Sequence, residues 1–458
     1  MSRNTSDVNI LLVNPWISDF KAYDFWIKPV GLLYVGAVLE QNGYKTRLID
    51  CMDRRHPSVA EKMRFKQDGT GKFVSRELPK PEAYRNIPRK YKIYGIPVEA
   101  FMAELDSMPE PDVILVTSIM TYWYPGAHET IKVLKERFPT KPLLLGGIYA
   151  TLCKDFAEKN SGADIVFEGS DMIRLMDIIG ALTDTMPGFK PAFIDNYPHP
   201  AFHHYKKLDY YPILTSRGCP FRCSYCASAK LYPVFIQRNS DDILSEILEA
   251  HENFGVTGFA LYDDALLVDF KRRLLPVLQE IIRRKLKFHF YTPNGLHARY
   301  ITPEVAEIMF KSGFDHLRVS LESSDESLLK DTGGKVTVGE TAGAVKNLLN
   351  AGFNPEQIGI YLMMGIPGQS LEDCRKALDF VKNMGVQIRL SDFSPVPGTA
   401  DFEKMKQIYG EIIEDPLYQN NAFHHFVPGI LSLEDKESLR RYAFDTNRSL
   451  LTSLDNDE

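Results

Sequence analysis

Near its start the chain alternates short apolar runs with stretches that repeat every three to four residues. Residues 9–15, NILLVNP, are strand-like and end in a turn signal, while 30–43, VGLLYVGAVLEQNG, keep helical spacing up to Gly43. YKTRLID (44–50), DVILVTSI (112–119), PLLLGG (142–147) and ADIVFEG (163–169) continue the strand-like runs, with helix-like segments such as AHETIKVLKERFP (127–139) between them. This alternation predicts a doubly wound, parallel, Rossmann-like α/β domain over residues 1–185. Ligands of such sheets lie at the carboxyl ends of the strands, so VNPW, TSIMTYWY and GGIYAT share one rim. Ser118, Gly146 and Gly147 are candidate contacts there, the glycines because they admit close backbone approach. Tyr122, Trp123 and Tyr124 offer a floor for a large flat ligand, or core packing. Residues 52–110 lapse into a polar, Lys- and Arg-rich insertion, expected to be a lid or a mobile excursion with a solvated charged face.

A second series begins near Tyr211. Its strand candidates are YPILTS, GFALYDD, FHFYTPN, HLRVSLE, IGIYLMMG and IRLSDFS. Asn239 or Ser240, and Thr302, can cap the helices between them, and Gly255 and Gly313 can end them. Six parallel βα units predict a partial (β/α)6 barrel over 211–400, after a linker at 186–210. A short helical tail over 401–458 follows, its last helix opening at Ser432 with Asp435 as capping partner.

The 458 residues, 44% hydrophobic, exceed one domain. A net charge of −6 advertises neither nucleic acid nor anionic membrane as a partner. No run reaches the ~18 apolar residues of a membrane span, and the first residues lack a secretory pattern, so a cytoplasmic location is expected. Six cysteines are too few for a disulfide framework. Cys51, Cys153 and Cys374 read as small buried residues, but Cys219, Cys223 and Cys226 gather in SRGCPFRCSYCAS, on the barrel rim after the first strand. Structural zinc takes four protein ligands, and the pairs His203–His204 and His424–His425 lie outside the loop. Three thiolates suit an iron–sulfur cluster with one iron left open. Arg217, Arg222 and Lys230 are expected to favour the thiolates.

A Cys-x3-Cys-x2-Cys loop after the first strand of a six-unit barrel resembles the radical S-adenosylmethionine (SAM) superfamily, over roughly Tyr211 to Thr399. The resemblance implies a 4Fe-4S cluster on Cys219, Cys223 and Cys226, with the amino and carboxylate groups of SAM on the fourth iron. It further implies reductive cleavage of SAM to methionine and a 5′-deoxyadenosyl radical, hydrogen abstraction from a small-molecule substrate, and a reductant such as flavodoxin or ferredoxin. Tyr262, Asp263 and Asp264 are then candidates for the SAM amino group. Arg318, Ser320 and Glu322, on one face by strand parity, are candidates for its ribose and carboxylate. Gly365 with Pro395, Val396 and Pro397 are candidates for the adenine edge, and Lys335 can reach a carboxylate.

The N-terminal residues LLVNP, KPVGLLYVGAVLEQNGYKTRLID, PDVILVTS, LLLGGIYAT and GADIVFEGS resemble the cobalamin-binding domain found before the barrel in one branch of that superfamily. No Asp-x-His-x-x-Gly occurs, so either cobalamin is held without a lower histidine or the domain has kept the shape and lost the ligand. Bound cobalamin implies methyl transfer to an unactivated carbon or phosphorus centre. Without it the expectation is radical rearrangement, cyclisation or oxidation, and a non-enzymatic iron–sulfur carrier would leave the SAM pattern unused. A methylthiotransferase would bring an additional N-terminal cysteine set, which this chain lacks.

Overall fold

Five of the early apolar runs form strands: β1 (Asn9–Asn14), β2 (Lys45–Asp50), β3 (Val113–Val116), β4 (Leu143–Leu145) and β5 (Ile165–Val166). They are parallel, in the order β5-β4-β3-β1-β2. Every residue of β3 and β4 is buried, as in a sheet covered by helices on both faces. Helices α1 (Val30–Gln41), α2 (Tyr124–Arg137) and α3 (Met172–Thr183) follow β1, β3 and β5. Strand order reverses between β1 and β3, so the ligand crevice of such a sheet opens beyond Asn14 and Val116.

The computed structural model describes residues 3–427 and 429–454, which divide into a unit of Met1–Asp209 with Glu414–Tyr418 and a unit of Tyr210–Ile413 with Gln419–Glu458. Within the first, the polar stretch after β2 is folded. Segments Lys92–Tyr94 and Ser75–Glu77 join Ile17–Asp19 in an antiparallel sheet, and Tyr84, Ile87, Tyr91 and Phe101 give this part its own buried core. Its charges are not all solvated: Arg54 is 3% exposed and pairs with Asp24 at 3.0 Å. The aromatic residues scattered through the stretch bury enough apolar surface to order it, which its charge density conceals.

In the second unit the six expected segments become β6 (Tyr211–Ile213), β7 (Gly258–Leu261), β8 (His289–Tyr291), β9 (Leu317–Glu322), β10 (Ile358–Met364) and β11 (Gln387–Asp392). β6, β7 and β8 pair in parallel in chain order, and so do β9, β10 and β11, as the two halves of a partial barrel. The wall has a seam where Phe314–Asp315 pairs with β8 and Leu296–His297 pairs with β9, because His316, at φ +50°, breaks the fourth strand. Helices α4 (Ser240–Phe254), α5 (Phe270–Arg283), α6 (Pro303–Ser312), α7 (Val338–Ala351) and α8 (Leu371–Asn383) connect the strands, and α9 (Leu433–Leu454) packs on β11.

The helix ends follow local chemistry. Asn239 accepts from Asp241 N at 2.7 Å and Thr302 from Val305 N at 3.3 Å, while Gly255 (φ +67°) and Gly313 (φ +92°) end α4 and α6. Ser432 and Asp435 cap α9 reciprocally, and Thr337 with Glu340 does the same for α7. One ion pair ties α4 to β6: Arg238 lies 2.5 Å from Glu246, both side chains 1% exposed, and donates to the Leu214 carbonyl at 2.8 Å. Glu246 also accepts from Tyr211 Oη at 3.0 Å. Arg238 also pairs with Asp242 at 2.6 Å and so keeps a counter-charge, while Tyr211 Oη loses its acceptor, so Glu246→Ala should cost about 1–3 kcal/mol in equilibrium urea unfolding. Lys376→Ala, at the solvent-facing Lys376–Glu372 pair, should cost less than about 1 kcal/mol.

Candidate functional site

The cysteine loop leaves the end of β6 and is anchored before it begins. Ser216–Arg217 pairs antiparallel with Ile236–Gln237, which holds the two ends of the loop together. Beneath it the Asp263 carboxylate, 3% exposed, accepts from Thr215 N (3.1 Å), Thr215 Oγ1 (2.7 Å) and Ser216 Oγ (2.5 Å), with Arg273 Nη1 3.5 Å away. Its acceptor capacity is spent inside the protein, so Asp263 holds the loop base, whereas the resemblance implies Tyr262, Asp263 and Asp264 as contacts to the SAM amino group. Asp264, the next residue, accepts from Ser228 Oγ at 2.5 Å; burial raises its pKa, and Asp263 adds to the effect. Tyr262 is half-buried, and its carbonyl accepts from Asn294 Nδ2 at 2.9 Å.

Cys219, Cys223 and Cys226 are free thiols, half-buried or exposed, whereas Cys51, Cys153 and Cys374 are buried. Ser224, inside the loop, donates from its N to the Thr332 carbonyl (3.1 Å) and from Oγ to Asp401 (2.6 Å), and its own carbonyl accepts from Asp401 N (3.0 Å). Gly333 has φ +114°, and a Cβ there would lie 3.0 Å from Cys223 Cα, so only glycine lets the two backbones meet. Burial pushes the Cys219 thiol up to about 11, helped by Asp264 and the other two thiols. The flanking cations do not offset this as expected. Arg222 turns back to the Cys219 carbonyl (2.9 Å), Arg217 lies over the Tyr232 ring, and Lys230 packs at Gly398. The cation coupled to the thiols is Lys335, from the far side of the loop. The histidine pairs are engaged elsewhere: His203 and His204 flank Glu40 at 3.2 and 3.1 Å, and His425 pairs with Asp392.

Lys335 forms a 2.9 Å ion pair with Glu322 at the end of β9, both nearly buried. Burial alone would lower its pKa, but Glu322, and after it Cys223, hold it above the ordinary lysine value. Strand parity fails here. The register of β9 against β10 shifts between Ser320 and Glu322, and Glu322 takes φ +71°, so a bulge swings its carboxylate toward Lys335. Ser320 is buried beside Gly295, where a Cβ would lie 1.9 Å from Ser320 Oγ. Arg318 is four residues back, about 13 Å down the strand, and does not reach the rim. His297, missed in the sequence, is buried against Phe221 with ring centroids 4.6 Å apart; burial, then Lys335 and Arg299, push its pKa down to about 3. Gly365 (φ +86°) donates to Gln369 Oε1 at 2.8 Å, and Pro395–Pro397 lead to Thr399, which donates to the Val396 carbonyl at 2.8 Å. The Asp401–Ser224 bonds then bring this last rim loop to the cysteine loop.

In the first unit a cleft with about 360 Å³ of empty space lies beyond β1 and β3, walled by Trp16, Ile17, Met120 and Trp123, with Asn14 and Ser118 at its base. Ser118 Oγ donates to the Gly146 carbonyl at 2.6 Å. A Cβ on Gly147 would stand 2.2 Å from the Ser118 carbonyl oxygen, so that glycine serves the packing of two turns, while at Gly146 the space is open. Trp123 donates to Asp19 at 2.8 Å and stays in the wall; Tyr124 instead packs against Tyr149 and Phe156. The wall is largely apolar, and no histidine lines it.

Residues 213–381 match the model of the radical SAM superfamily. The chain is 22% identical to cytidylyl-2-hydroxyethylphosphonate methyltransferase of Streptomyces wedmorensis, over 96% of this chain and 89% of that one. Its fold is similar to the radical SAM methyltransferase TsrM from Kitasatospora setae, solved with cobalamin and a [4Fe-4S] cluster bound (TM-score 0.64, 16% identity, 89% of this chain and 75% of that one). It is also similar to the cobalamin-dependent SAM radical enzyme OxsB, solved with aqua-cobalamin and SAM (TM-score 0.58, 16% identity, 93% and 59%). Among the described residues no helix is long and apolar enough to cross a membrane. With this loop and this barrel, residues 213–381 carry a radical SAM domain, and a parallel α/β sheet precedes it, in a fold similar to those of TsrM and OxsB.

Proposed function

We propose that the protein is a cobalamin-dependent radical SAM methyltransferase acting on an unactivated carbon or phosphorus centre of a small molecule. The observation that carries this reading is the set of three free thiols on one anchored loop, facing a buried Lys335–Glu322 pair. The thiols of Cys219, Cys223 and Cys226 fit three corners of a 4Fe-4S cluster, and burial, which raises the pKa values of Cys219 and Cys226, leaves those two dependent on a metal to hold the thiolate form. When bound, such a cluster supplies one electron to SAM, and a corrin supplies a methyl carrier.

The chain's own residues do the positioning. Glu322 and Asp264 are the carboxylates on the cluster side of the rim that can orient a sulfonium amino acid and its ribose, and Lys335 fixes the rotamer of Glu322. Neutral His297 adds no charge beside Lys335. Open space lies before Gly365, whereas Pro395 and Pro397 are buried and Val396 is half-buried, so a flat base would approach at Gly365. In the first unit, the cleft at the β1–β3 switch point offers Trp16, Met120 and Trp123 to a corrin face, with no lower imidazole. The relatives solved with cobalamin and the methyltransferase of S. wedmorensis support a methyl-transfer outcome over rearrangement or oxidation.

Two outcomes test this reading. Each of Cys219→Ala, Cys223→Ala and Cys226→Ala should abolish 4Fe-4S incorporation, and 5′-deoxyadenosine formation under strict anaerobiosis should fall at least about 100-fold while far-UV circular dichroism stays native. Iron retained at full stoichiometry in all three would contradict the ligand set. Glu322→Gln should keep the iron but weaken SAM binding by about tenfold, or about 1.4 kcal/mol, in equilibrium dialysis; an unchanged Kd would remove Glu322 from the SAM site.

A further inference from the structure

The barrel lumen holds two cations that the chemistry at the rim does not use. Paired residues of neighbouring parallel strands share a face, so the register Arg318–Gly359–Gln387 and Ser320–Tyr361–Arg389 puts all of these side chains on one side of β9, β10 and β11. The other side carries Leu317, Val319, Ile360, Leu362 and Ile388, each no more than 2% exposed, as expected beneath the outer helices. The polar side therefore faces the lumen.

There the two arginines are neighbours. A Cβ on Gly359 would lie 3.1 Å from Arg318 Nη1, 3.1 Å from Arg389 Nε and 2.8 Å from Arg389 Cγ, so this glycine makes the room they share. Arg318 is 5% exposed, yet among the described residues neither arginine has a carboxylate within ion-pair distance. Their hydrogen bonds go to neutral groups: Arg318 Nη1 to the Leu317 carbonyl at 2.9 Å, Arg318 also with the Tyr361 hydroxyl, and Arg389 to Gln387 Oε1. Arg389 Nε is buried without a partner. Asp315, the carboxylate nearest in effect on Arg318, is occupied by Gln357 Nε2 at 3.0 Å and by His316 N at 2.7 Å. Burial, and after it Arg389, push the Arg318 pKa down to about 10. A buried guanidinium beside a half-buried one, with no counter-charge within ion-pair distance, costs stability unless an anion joins them, and their planar donor sets match an oxyanion.

We propose that Arg318 and Arg389 form a seat at the floor of the barrel lumen for an oxyanion group, carboxylate or phosphate, of the small-molecule substrate. Seated there, an anionic substrate extends up the lumen toward the rim, about 13 Å away at Glu322. This rests on the radical SAM reading and adds the substrate class to it: a small anion of that reach.

Thermal unfolding of the cluster-reconstituted full chain in inorganic phosphate, and separately in acetate, against chloride at equal ionic strength tests the seat. The native chain should gain at least about 3 °C in one of the two anions, and R318Q and R389Q should lose that gain. R389Q should also melt no lower than the native chain in chloride, since it removes one of two like charges. Arg389 is only half-buried, so R389Q carries the test if R318Q does not fold. No anion response in the native chain, or an equal response in R389Q, overturns the seat. Reductive SAM cleavage by the native chain is measured alongside: cleavage without an anion response overturns the seat alone, and no cleavage overturns the reading beneath it.

Discussion

A buried carboxylate sets the position of everything at the barrel rim. The Asp263 carboxylate is buried at 3% exposure with Thr215, Ser216 and Arg273 converging on it, and Thr215 and Ser216 are the residues from which the cysteine loop departs. The same network joins β6, β7 and α5, so the loop is placed by the barrel wall and not by its own sequence. Ser224 extends this outward to Thr332 and Asp401, tying the loop to the segments that follow the fourth and sixth strands. A loop fastened at its base and its middle can present three thiols on one side without closing on itself.

From that anchoring the polarity of the barrel follows. Toward the cluster side lie Asp264, Glu322 and Lys335, with one cation set against a carboxylate and three thiols; toward the floor lie two arginines with no acid. The lumen is thus graded from carboxylates at one end to guanidiniums at the other. Such a gradient orients a molecule that is cationic where SAM is and anionic at its opposite end.

Much of the framework was legible in the residues. The eleven strand segments, the caps at Asn239, Thr302 and Ser432, and the glycines ending α4 and α6 follow from apolar spacing and from local hydrogen-bonding chemistry that acts within a few residues. What could not be read depends on contacts between residues far apart in the chain. Parity placed Glu322 with Arg318 and Ser320, but the bulge that separates them forms only against β10. Neighbouring carboxylates at 263 and 264 look alike as sequence, and only the position of Arg273, on the next helix, sends one inward. Arg54 and the insertion around it read as a solvated face because its acid, Asp24, lies before β2 in the chain. Lys335, by contrast, stood beside the Gly-Gly pair that brings the backbone to Cys223, a local signal that did point to the site.

The most direct test is electron paramagnetic resonance of the reduced, cluster-loaded full chain, recorded without and with SAM. An iron left open by three protein ligands predicts that SAM binding changes the g values and line shape of the reduced cluster. A spectrum that is identical in the two samples, at SAM concentrations shown by dialysis to saturate the protein, would mean that the cluster is closed by the protein and would contradict the account.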